Sequence, residues 1–229
     1  MAYLGHLEAR GIDIGHIHAV PDTHTAQAII ITDADNNQIT AFHPGAMQMA
    51  HQIDVPARSD LAIGIVAPDG RDAMLLHARQ LSERGIPFIF DPGQGLPMFD
   101  GADLARFVSQ ARWVAVNDYE GRMLCDRMGT ELDALSRDHG LAGLVVTLGA
   151  EGCDVWVDGR CTRVEPQPVA APVDPTGCGD AFRAALLYGL ERGWSLERCA
   201  RLGNRLGAIK IASRGGQNHV IDRAALLAE

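Results

Sequence analysis

The segment VDPTGCGDAFRAALLYGLERG, residues 173–193, joins a glycine-rich turn to the start of an amphipathic helix rich in Ala and Leu. Glycines leave backbone N–H groups exposed, and the amides at a helix N-terminus attract anions together with the helix dipole. We expect the amides of Gly177, Cys178 and Gly179 to form such an anion hole, with phosphate as the obvious guest. Asp180 falls in the same first turn, so its carboxylate is expected within a few ångströms of a bound phosphoryl group.

A carboxylate beside a polyphosphate is repelled by it, so Asp180 needs a chemical reason for its position. It has one if it accepts the proton of an attacking hydroxyl. The helix N-terminus keeps the carboxylate ionised, and the hydroxyl becomes more acidic as the new P–O bond forms. These residues therefore predict phosphoryl transfer with Asp180 as general base. The alternative is a tight strand-to-helix turn with an N-terminal Asp cap.

Two further patterns follow predicted strands, at the ends where open α/β sheets bind ligands. The first is N-x-x-E at residues 117–120, and the second is T-x-G-x-x-G at residues 147–152. Taken alone, Asn117 could be a helix N-cap and Glu120 a solvated helix residue. Because these two residues precede the glycine-rich turn in the chain, we favour a functional role for them over a purely structural one.

These three patterns together resemble the signature motifs of the ribokinase (PfkB) family of small-molecule kinases. The resemblance implies that Asp180 is the catalytic base and that Glu120 orients Mg²⁺ through water. A single carboxylate suits Mg²⁺, which prefers phosphates and retained waters. The resemblance also implies a set of ATP-binding residues, namely Asn117, Thr147, Gly149, Gly152 and, near the adenine, Asn204.

Within the family, the segments FDPGQGLPMF, VNDYE, DPTGCGDAFR and GAIKIASRGGQNH most resemble bacterial adenosine and other nucleoside kinases. This implies transfer of the ATP γ-phosphoryl group to the 5′-hydroxyl of a purine ribonucleoside, with Mg·ATP as cofactor and a monovalent cation as a further candidate. A sugar kinase of the same family is one alternative. A non-catalytic nucleotide-binding remnant is another, because the family's first core strand with its sugar-binding Asp, and its G-G-x-x-x-N segment, are expected to be missing.

From residue 61 onward, short apolar runs alternate with stretches of helical periodicity. This pattern predicts an α/β fold with a doubly wound, mostly parallel sheet and helices on both faces, occupying residues 46–229. The predicted strands are residues 61–67 and the runs ending at Asp91, Asp118 and Gly149, followed by a hairpin around Asp158-Gly159 and by helix from Gly179 almost to the end.

The N-terminal part differs, because residues 25–32 and 38–42 are extended runs joined by the turn-forming DADNNQ. We interpret residues 14–45 as a partial β lid, entered by a helix over residues 1–13. A two-stranded hairpin is marginal alone, so it is expected to cover a site or pair with another subunit. The family resemblance implies that Thr25, Gln27 and Phe42 meet the nucleoside and that the lid mediates a homodimer.

The composition excludes several classes of function. The net charge of -9 and the lack of long Lys or Arg runs argue against nucleic acid as a partner. No apolar run is long enough for a membrane span, and the opening residues lack a secretory signal. Five cysteines without a C-x-x-C pair favour a reducing compartment, and we predict the cytoplasm.

Three sharper interpretations are less favoured by the residues. Cys178 could act as a nucleophile, but the simpler interpretation is that a small residue is needed here to present its backbone N–H group. The glycines at 93 and 95 lack the third glycine of a dinucleotide site, and a turn explains them. His16 and His18 share one face of an extended segment without a third ligand, so no zinc site is predicted.

Overall fold

The computed structural model describes residues 2–32 and 38–227, with a small N-terminal unit followed by an α/β core. The predicted turn DADNNQ falls outside the described residues except for its last residue. The helices and strands in chain order are α1 Ala2–Ala9, β1 Gln27–Thr32, β2 Gln38–His43, β3 Gly64–Val66, α2 Arg71–Glu83, β4 Phe88–Phe90, α3 Gly101–Gln110, β5 Trp113–Asn117, α4 Asp118–Met128, α5 Leu132–Asp138, β6 Gly143–Thr147, β7 Cys153–Val157, β8 Arg160–Val164, α6 Cys178–Glu191, α7 Leu196–Ile211 and α8 Arg223–Leu227. Short 3₁₀ segments cover Gly45–Gln52, Gly93–Met98 and Gly149–Glu151.

The large sheet runs in the order β3-β4-β5-β6-β7-β8 within the described chain. Strands β3 to β6 are parallel, and β7 and β8 add an antiparallel hairpin. Alternate residues of each parallel strand enter opposite cores, as Phe88 and Phe90 do on one face and Ile89 on the other. Helices α2 to α5 cover the first face, and α6 and α7 cover the second. This confirms the predicted α/β architecture, a mostly parallel sheet with helices on both faces.

Strand β3 is shorter than the predicted run 61–67, because only residues 64–66 pair with β4. It lies at the edge of the sheet and has no second neighbour among the described strands. An edge strand gains ladder hydrogen bonds on one side alone, so its ends are less strongly fixed.

The carboxyl ends of β4, β5 and β6 lie along one edge of the sheet because these strands are parallel. Asp91, Asn117 and Thr147 stand at or just past those ends. The chain returns to this edge at Gly177, where α6 begins. Four separate parts of the sequence therefore meet at one edge, which is where ligands of open α/β sheets bind.

The N-terminal hairpin forms as predicted, with β1 antiparallel to β2. Gln27 pairs with His43, and Ala28 pairs with Phe42. Directly paired residues share a face of the hairpin, while successive residues of one strand alternate between faces. Gln27 and Phe42 are therefore on opposite faces.

The helical segments near both chain ends are shorter than the sequence suggests. The first helix ends at Ala9, and Gly11 follows with a φ of 72°. The C-terminal helical stretch is divided, because α7 ends at Ile211 and the Ser213–Gly216 segment leads into an extended loop before α8. A left-handed glycine just past the last turn, as at Gly11, is a common helix end, whereas α7 is capped by Ala212 in right-handed conformation and Gly215, with a φ of 81°, redirects the chain three residues later.

Candidate active site

The turn that opens α6 depends on Gly177, which caps the helix with a φ of 83°. A Cβ at this position would lie 3.0 Å from the Cα and the carbonyl oxygen of Gly216, so a larger residue is excluded by both conformation and space. The helix therefore begins without a side-chain cap, and its first amides remain available. The hydrogen bonds along the helix begin at Ala181 N, which donates to Gly177 O at 3.0 Å.

The available amides differ in one respect from the predicted set. Cys178 N donates to the carbonyl oxygen of Pro175 at 3.1 Å and closes the turn. The amides of Gly177, Gly179 and Asp180 have no hydrogen-bond acceptor within the described residues. These three donors at the positive end of a helix of 14 residues form the anion-binding surface.

Asp180 is exposed in the first turn of α6, beside these amides. Arg183, one turn further along the helix, forms a two-bond ion pair with Asp91, with Nε to Oδ2 and Nη2 to Oδ1 both at 3.0 Å. Burial raises the pKa of Asp91, the Arg183 guanidinium opposes this rise, and the charge of Asp180 adds to it. The charge of Asp180 thus acts on Asp91, and Asp91 is held by Arg183 from the same helix as Asp180.

Asn117 and Glu120 form a capping box at the start of α4. Asn117 Oδ1 accepts from Glu120 N at 2.7 Å, and Glu120 Oε2 accepts from Asn117 N at 2.8 Å. Burial raises the pKa of Glu120, while Arg183 lowers it and Asp91 raises it further. The carboxylate thus has a structural role and also faces the charges of the Asp91–Arg183 pair.

The loop after β6 is shaped by its glycines. Gly149 and Gly152 have φ values of 59° and 83°, and Leu148 N donates to Gly152 O at 2.8 Å. A Cβ on Gly152 would lie 2.3 Å from the carbonyl oxygen of Val164, so only glycine fits this bend. Thr147 Oγ1 donates to Val116 O at 3.4 Å, which places it between the ends of β5 and β6.

A cleft of about 670 Å³ joins this loop to the start of α6. Its walls include the predicted residues Thr147, Gly149, Gly152, Cys178, Gly179 and Asn204. Asn204 Nδ2 donates to the carbonyl oxygens of Val164 and Glu165, at 3.2 and 2.8 Å. The amide nitrogen of Asn204 therefore holds the end of β8 against α7, on the wall of the cleft. Apolar groups, Phe182 and Ile211 among them, line much of the remainder.

The three predicted nucleoside-contacting residues lie in or next to the hairpin, and all three are exposed. Thr25 precedes β1, Gln27 begins it, and the ring of Phe42 is 53% exposed near the end of β2. Because Gln27 and Phe42 are on opposite faces, one ligand lying against one face of the hairpin contacts only one of the two. Contact of Thr25, Gln27 and Phe42 with the nucleoside stays a prediction, in which Gln27 and Phe42 would be reached from opposite faces of the hairpin.

Within the described residues, no cluster of three or more His, Cys, Asp or Glu side chains is arranged to hold a metal ion. None of the helices in this part of the chain is long and apolar enough to cross a membrane. All five cysteines are free thiols, and Cys178 is partly exposed in the cleft.

A mostly parallel sheet flanked by helices, with an anion-binding helix N-terminus and an adjacent carboxylate at its carboxyl edge, defines a phosphoryl-transfer fold of the ribokinase type. The chain belongs to the pfkB family of carbohydrate kinases, whose family model matches residues 2–223.

Three similar proteins carry the comparison further. A nucleoside kinase of Methanothermobacter thermautotrophicus is 31% identical over 94% of this chain and 70% of its own length. The structure of Burkholderia thailandensis nucleoside kinase in complex with inosine is 42% identical, with a TM-score of 0.94 over 100% of this chain and 74% of that one. The structure of the same kinase in complex with ADP-inosine gives a TM-score of 0.93 over 100% of this chain and 71% of that one, again at 42% identity.

The interpretation of the sequence missed two residues of the site, Asp91 and Arg183. Each had a local signal, because Asp91 follows a buried strand and precedes Pro-Gly, and Arg183 comes three residues after Asp180 on one helix face. Their pairing was not visible, since 91 residues separate them in the chain and only the packing of α6 on the sheet brings them together.

Proposed function

We propose that the protein transfers the γ-phosphoryl group of ATP to the 5′-hydroxyl of a purine ribonucleoside. The observation that carries this proposal is the start of α6, where the exposed carboxylate of Asp180 stands beside the unpaired amides of Gly177 and Gly179 at the mouth of the cleft. A general base next to an anion hole is what in-line phosphoryl transfer needs.

The proposed step has a simple balance of atoms. The carboxylate of Asp180 accepts the proton of the hydroxyl as its oxygen bonds to the γ-phosphorus, and the bond to the bridging oxygen of ATP breaks, releasing ADP. The amides of Gly177, Gly179 and Asp180 donate to the phosphoryl oxygens, whose charge the α6 dipole also stabilises. Asp180 is then regenerated when its proton passes to solvent.

Magnesium is the proposed metal, and the donors present suit it. With no cluster of three carboxylates or histidines in the described chain, the ion would be held mainly by phosphates and water. When bound, Mg²⁺ would neutralise charge on the transferred group. Glu120, buried and fixed by Asn117, is the residue proposed to orient a water ligand. A monovalent cation remains a candidate activator.

The cleft beside α6 is the proposed ATP site. Thr147, Gly149 and Gly152 form the loop at one end of the cleft, where they are proposed to approach the phosphates, and Asn117 stands at the end of the adjacent strand. Asn204 lies on the α7 wall and is proposed to lie near the adenine. A phosphate chain running from this loop to the α6 amides would place its γ-phosphate at Asp180.

A nucleoside is favoured over a sugar because the similar proteins are nucleoside kinases, one of them solved with inosine. Transfer to a free sugar stays the alternative, since the family as a whole is described as carbohydrate kinases.

The test is ATP-dependent phosphorylation of adenosine, inosine and ribose, with calorimetric titration of ATP in parallel. Asp180→Asn should lower kcat by about 10²–10⁴-fold with ATP binding retained, as expected for loss of a general base. Asp72→Asn is the matched control, because Asp72 is also an exposed Asp in a helix first turn and lies in α2. Turnover of ribose alone would favour the sugar kinase. ATP binding without any turnover would identify a nucleotide-binding protein that does not catalyse transfer.

We further propose that the hairpin serves both as lid and as dimer contact. One face carries Ile29, Ile31 and Ile39, which are 63%, 66% and 74% exposed, and the other carries Phe42. An apolar patch of this kind is typical of an interaction surface. If Phe42 meets the nucleoside, the isoleucine face remains for a partner subunit. Light scattering should then give twice the chain mass, and Ile39→Asp should shift the protein to monomer.

The cytoplasm is the proposed compartment, since ATP is the phosphate donor.

A further inference from the structure

The sequence contains 20 lysines and arginines in total, and Lys210 is the only lysine among them. It lies near the end of α7, and none of its surface is exposed to solvent. Long charged side chains are rarely enclosed completely, because removing an ammonium group from water is costly unless it is paired or hydrogen-bonded. A single, fully buried lysine therefore needs a specific reason.

The ammonium group is enclosed by backbone carbonyl groups. Lys210 Nζ donates to the carbonyl oxygen of Asp174 and to that of Ser213, both at 2.9 Å. These two oxygens belong to different segments, the loop that leads into α6 and the loop that leaves α7. One cation thus joins the two loops, and hydrogen bonds from a charged donor are stronger than those between neutral groups.

Further hydrogen bonds join the same two segments. Val173 N and Asp174 N donate to Ile211 O at 2.8 and 3.1 Å, and Gly215 N donates to the Asp174 carboxylate at 2.7 Å. Three residues after Asp174, Gly177 packs against the backbone of Gly216. The position of the anion-binding amides is consequently set by the loop after α7, with Lys210 at the centre of the connection.

The charge of Lys210 also reaches the side chain of Cys178, the residue between two of these amides. Burial is the main cause that raises the pKa of the Cys178 thiol, and the charges of Asp174 and Asp180 raise it further, while Lys210 lowers it. Cys178 lies between Gly177 and Gly179. Positive potential from below the turn therefore acts at the place where a phosphoryl group would bind.

We propose that Lys210 is a positioning residue for phosphoryl transfer, an internal cation that fixes the turn before α6 and adds positive potential beneath its anion-binding amides. It contacts neither nucleotide nor nucleoside and acts through the backbone of residues 174–177. The proposal rests on the proposed function, in which those amides bind the transferred group. Preorganised donors act most strongly in the transition state, so loss of Lys210 should lower kcat more than it changes the KM for the nucleoside.

Lys210→Met keeps the length of the side chain and removes the charge and the donor. Lys210→Gln is the second variant, because its amide can still donate to one of the two carbonyl oxygens and better preserves the fold. Arg201→Met is the matched control, since it removes an exposed positive charge from the same helix. Thermal unfolding of all three variants identifies those that are folded at the assay temperature.

The first measurement is steady-state kinetics with ATP and inosine. We expect kcat to fall by about tenfold or more in the two Lys210 variants, with the KM for inosine within about threefold of the original, by comparison with the loss of an anion-hole donor. Arg201→Met should change neither value appreciably. If the folded Lys210 variants kept the original kcat, whether or not the KM for inosine changed, the proposal would be overturned.

The second measurement needs no kinase activity, so it separates a failure of this proposal from a failure of the proposed function. Iodoacetamide alkylates thiolates, and peptide mass spectrometry gives separate rates for Cys178 and for the exposed Cys161. Below the pKa, a rise of one unit lowers the thiolate fraction about tenfold, so alkylation of Cys178 should slow several-fold in Lys210→Met and Lys210→Gln and not in Arg201→Met. The rate at Cys161 should stay constant. An unchanged rate at Cys178 would show that Lys210 neither orders this turn nor supplies potential to it.

Discussion

Replacing Arg183 by Met leaves the Asp91 carboxylate buried without its partner. The two side chains are each 12% exposed and share two hydrogen bonds of 3.0 Å. Breaking a buried ion pair from one side costs about 3–5 kcal/mol, because the remaining charge is left unpaired. Against a total stability of about 5–15 kcal/mol for a domain, this is a large fraction, but the chain should still fold at low temperature.

The matched control is Arg122→Met. Arg122 also forms a pair with an aspartate, Asp118, at 3.0 Å, but the two side chains are 68% and 52% exposed. Exposed pairs contribute about 0.2–1 kcal/mol, so this control should lower the free energy of unfolding by less than a third of the Arg183→Met effect. Urea unfolding followed by circular dichroism measures both. Similar losses in the two variants would refute the view that Asp91–Arg183 is a desolvated structural pair.

The same variant predicts a pH dependence whose sign follows from burial. The pKa of Asp91 is raised above its ordinary value of 3.8, and loss of Arg183 removes the main influence that opposes this rise. In this variant the folded state therefore binds the Asp91 proton more tightly than the unfolded state does. The resulting stabilisation of the fold is complete below pH 3.8 and is lost as the pH rises through the raised pKa. Arg183→Met should accordingly be least stable, relative to the original protein, near neutral pH. The double variant with Asp91→Asn should recover part of the loss there, and a double variant no more stable than Arg183→Met would contradict the argument.

Two other predictions concern the loops around the cleft. Gly152→Ala should lower the free energy of unfolding by about 3 kcal/mol or more and weaken ATP binding in calorimetry, because the new Cβ would meet a backbone carbonyl oxygen at 2.3 Å. Gly140→Ala has a similar φ of 72° with nothing within 4 Å of the Cβ, so it should cost only about 1 kcal/mol, and equal losses would contradict the steric argument. Backbone amides lower the pKa of Asp174 to about 2, so the ionised form stabilises the fold above pH 3.8 and this contribution is lost as the pH falls through about 2. Asp174→Asn should remove that part of the acid dependence of urea unfolding, and an unaltered pH profile would show that the carboxylate does not hold the loop.

The architecture and the order of the motifs could be predicted from the amino-acid sequence alone. Buried parallel strands appear as short apolar runs and amphipathic helices as 3.6-residue periodicity, and both signals are local. The core strands ending before Asp91, Asp118 and Gly149 were predicted from such runs, as was the hairpin around Asp158 and Gly159. Motif residues such as Asp180 were also visible, because glycine-rich turns and adjacent carboxylates are short patterns. The division of the C-terminal helices at Ser213–Gly216 was missed, since helical periodicity resumes beyond it.

Which side chains act together became visible only in the folded chain. Arg183 meets Asp91, and Lys210 meets the carbonyl oxygen of Asp174, through packing between segments that are 92 and 36 positions apart in the chain. The sequence contains no periodic signal for such pairs, because they depend on how α6 and α7 are placed on the sheet. The engagement of one predicted anion-hole amide with Pro175 likewise depends on the conformation of the turn. Residue types and spacing are local and specify the chemical groups, whereas distances, burial and charge pairing arise only when distant segments pack together.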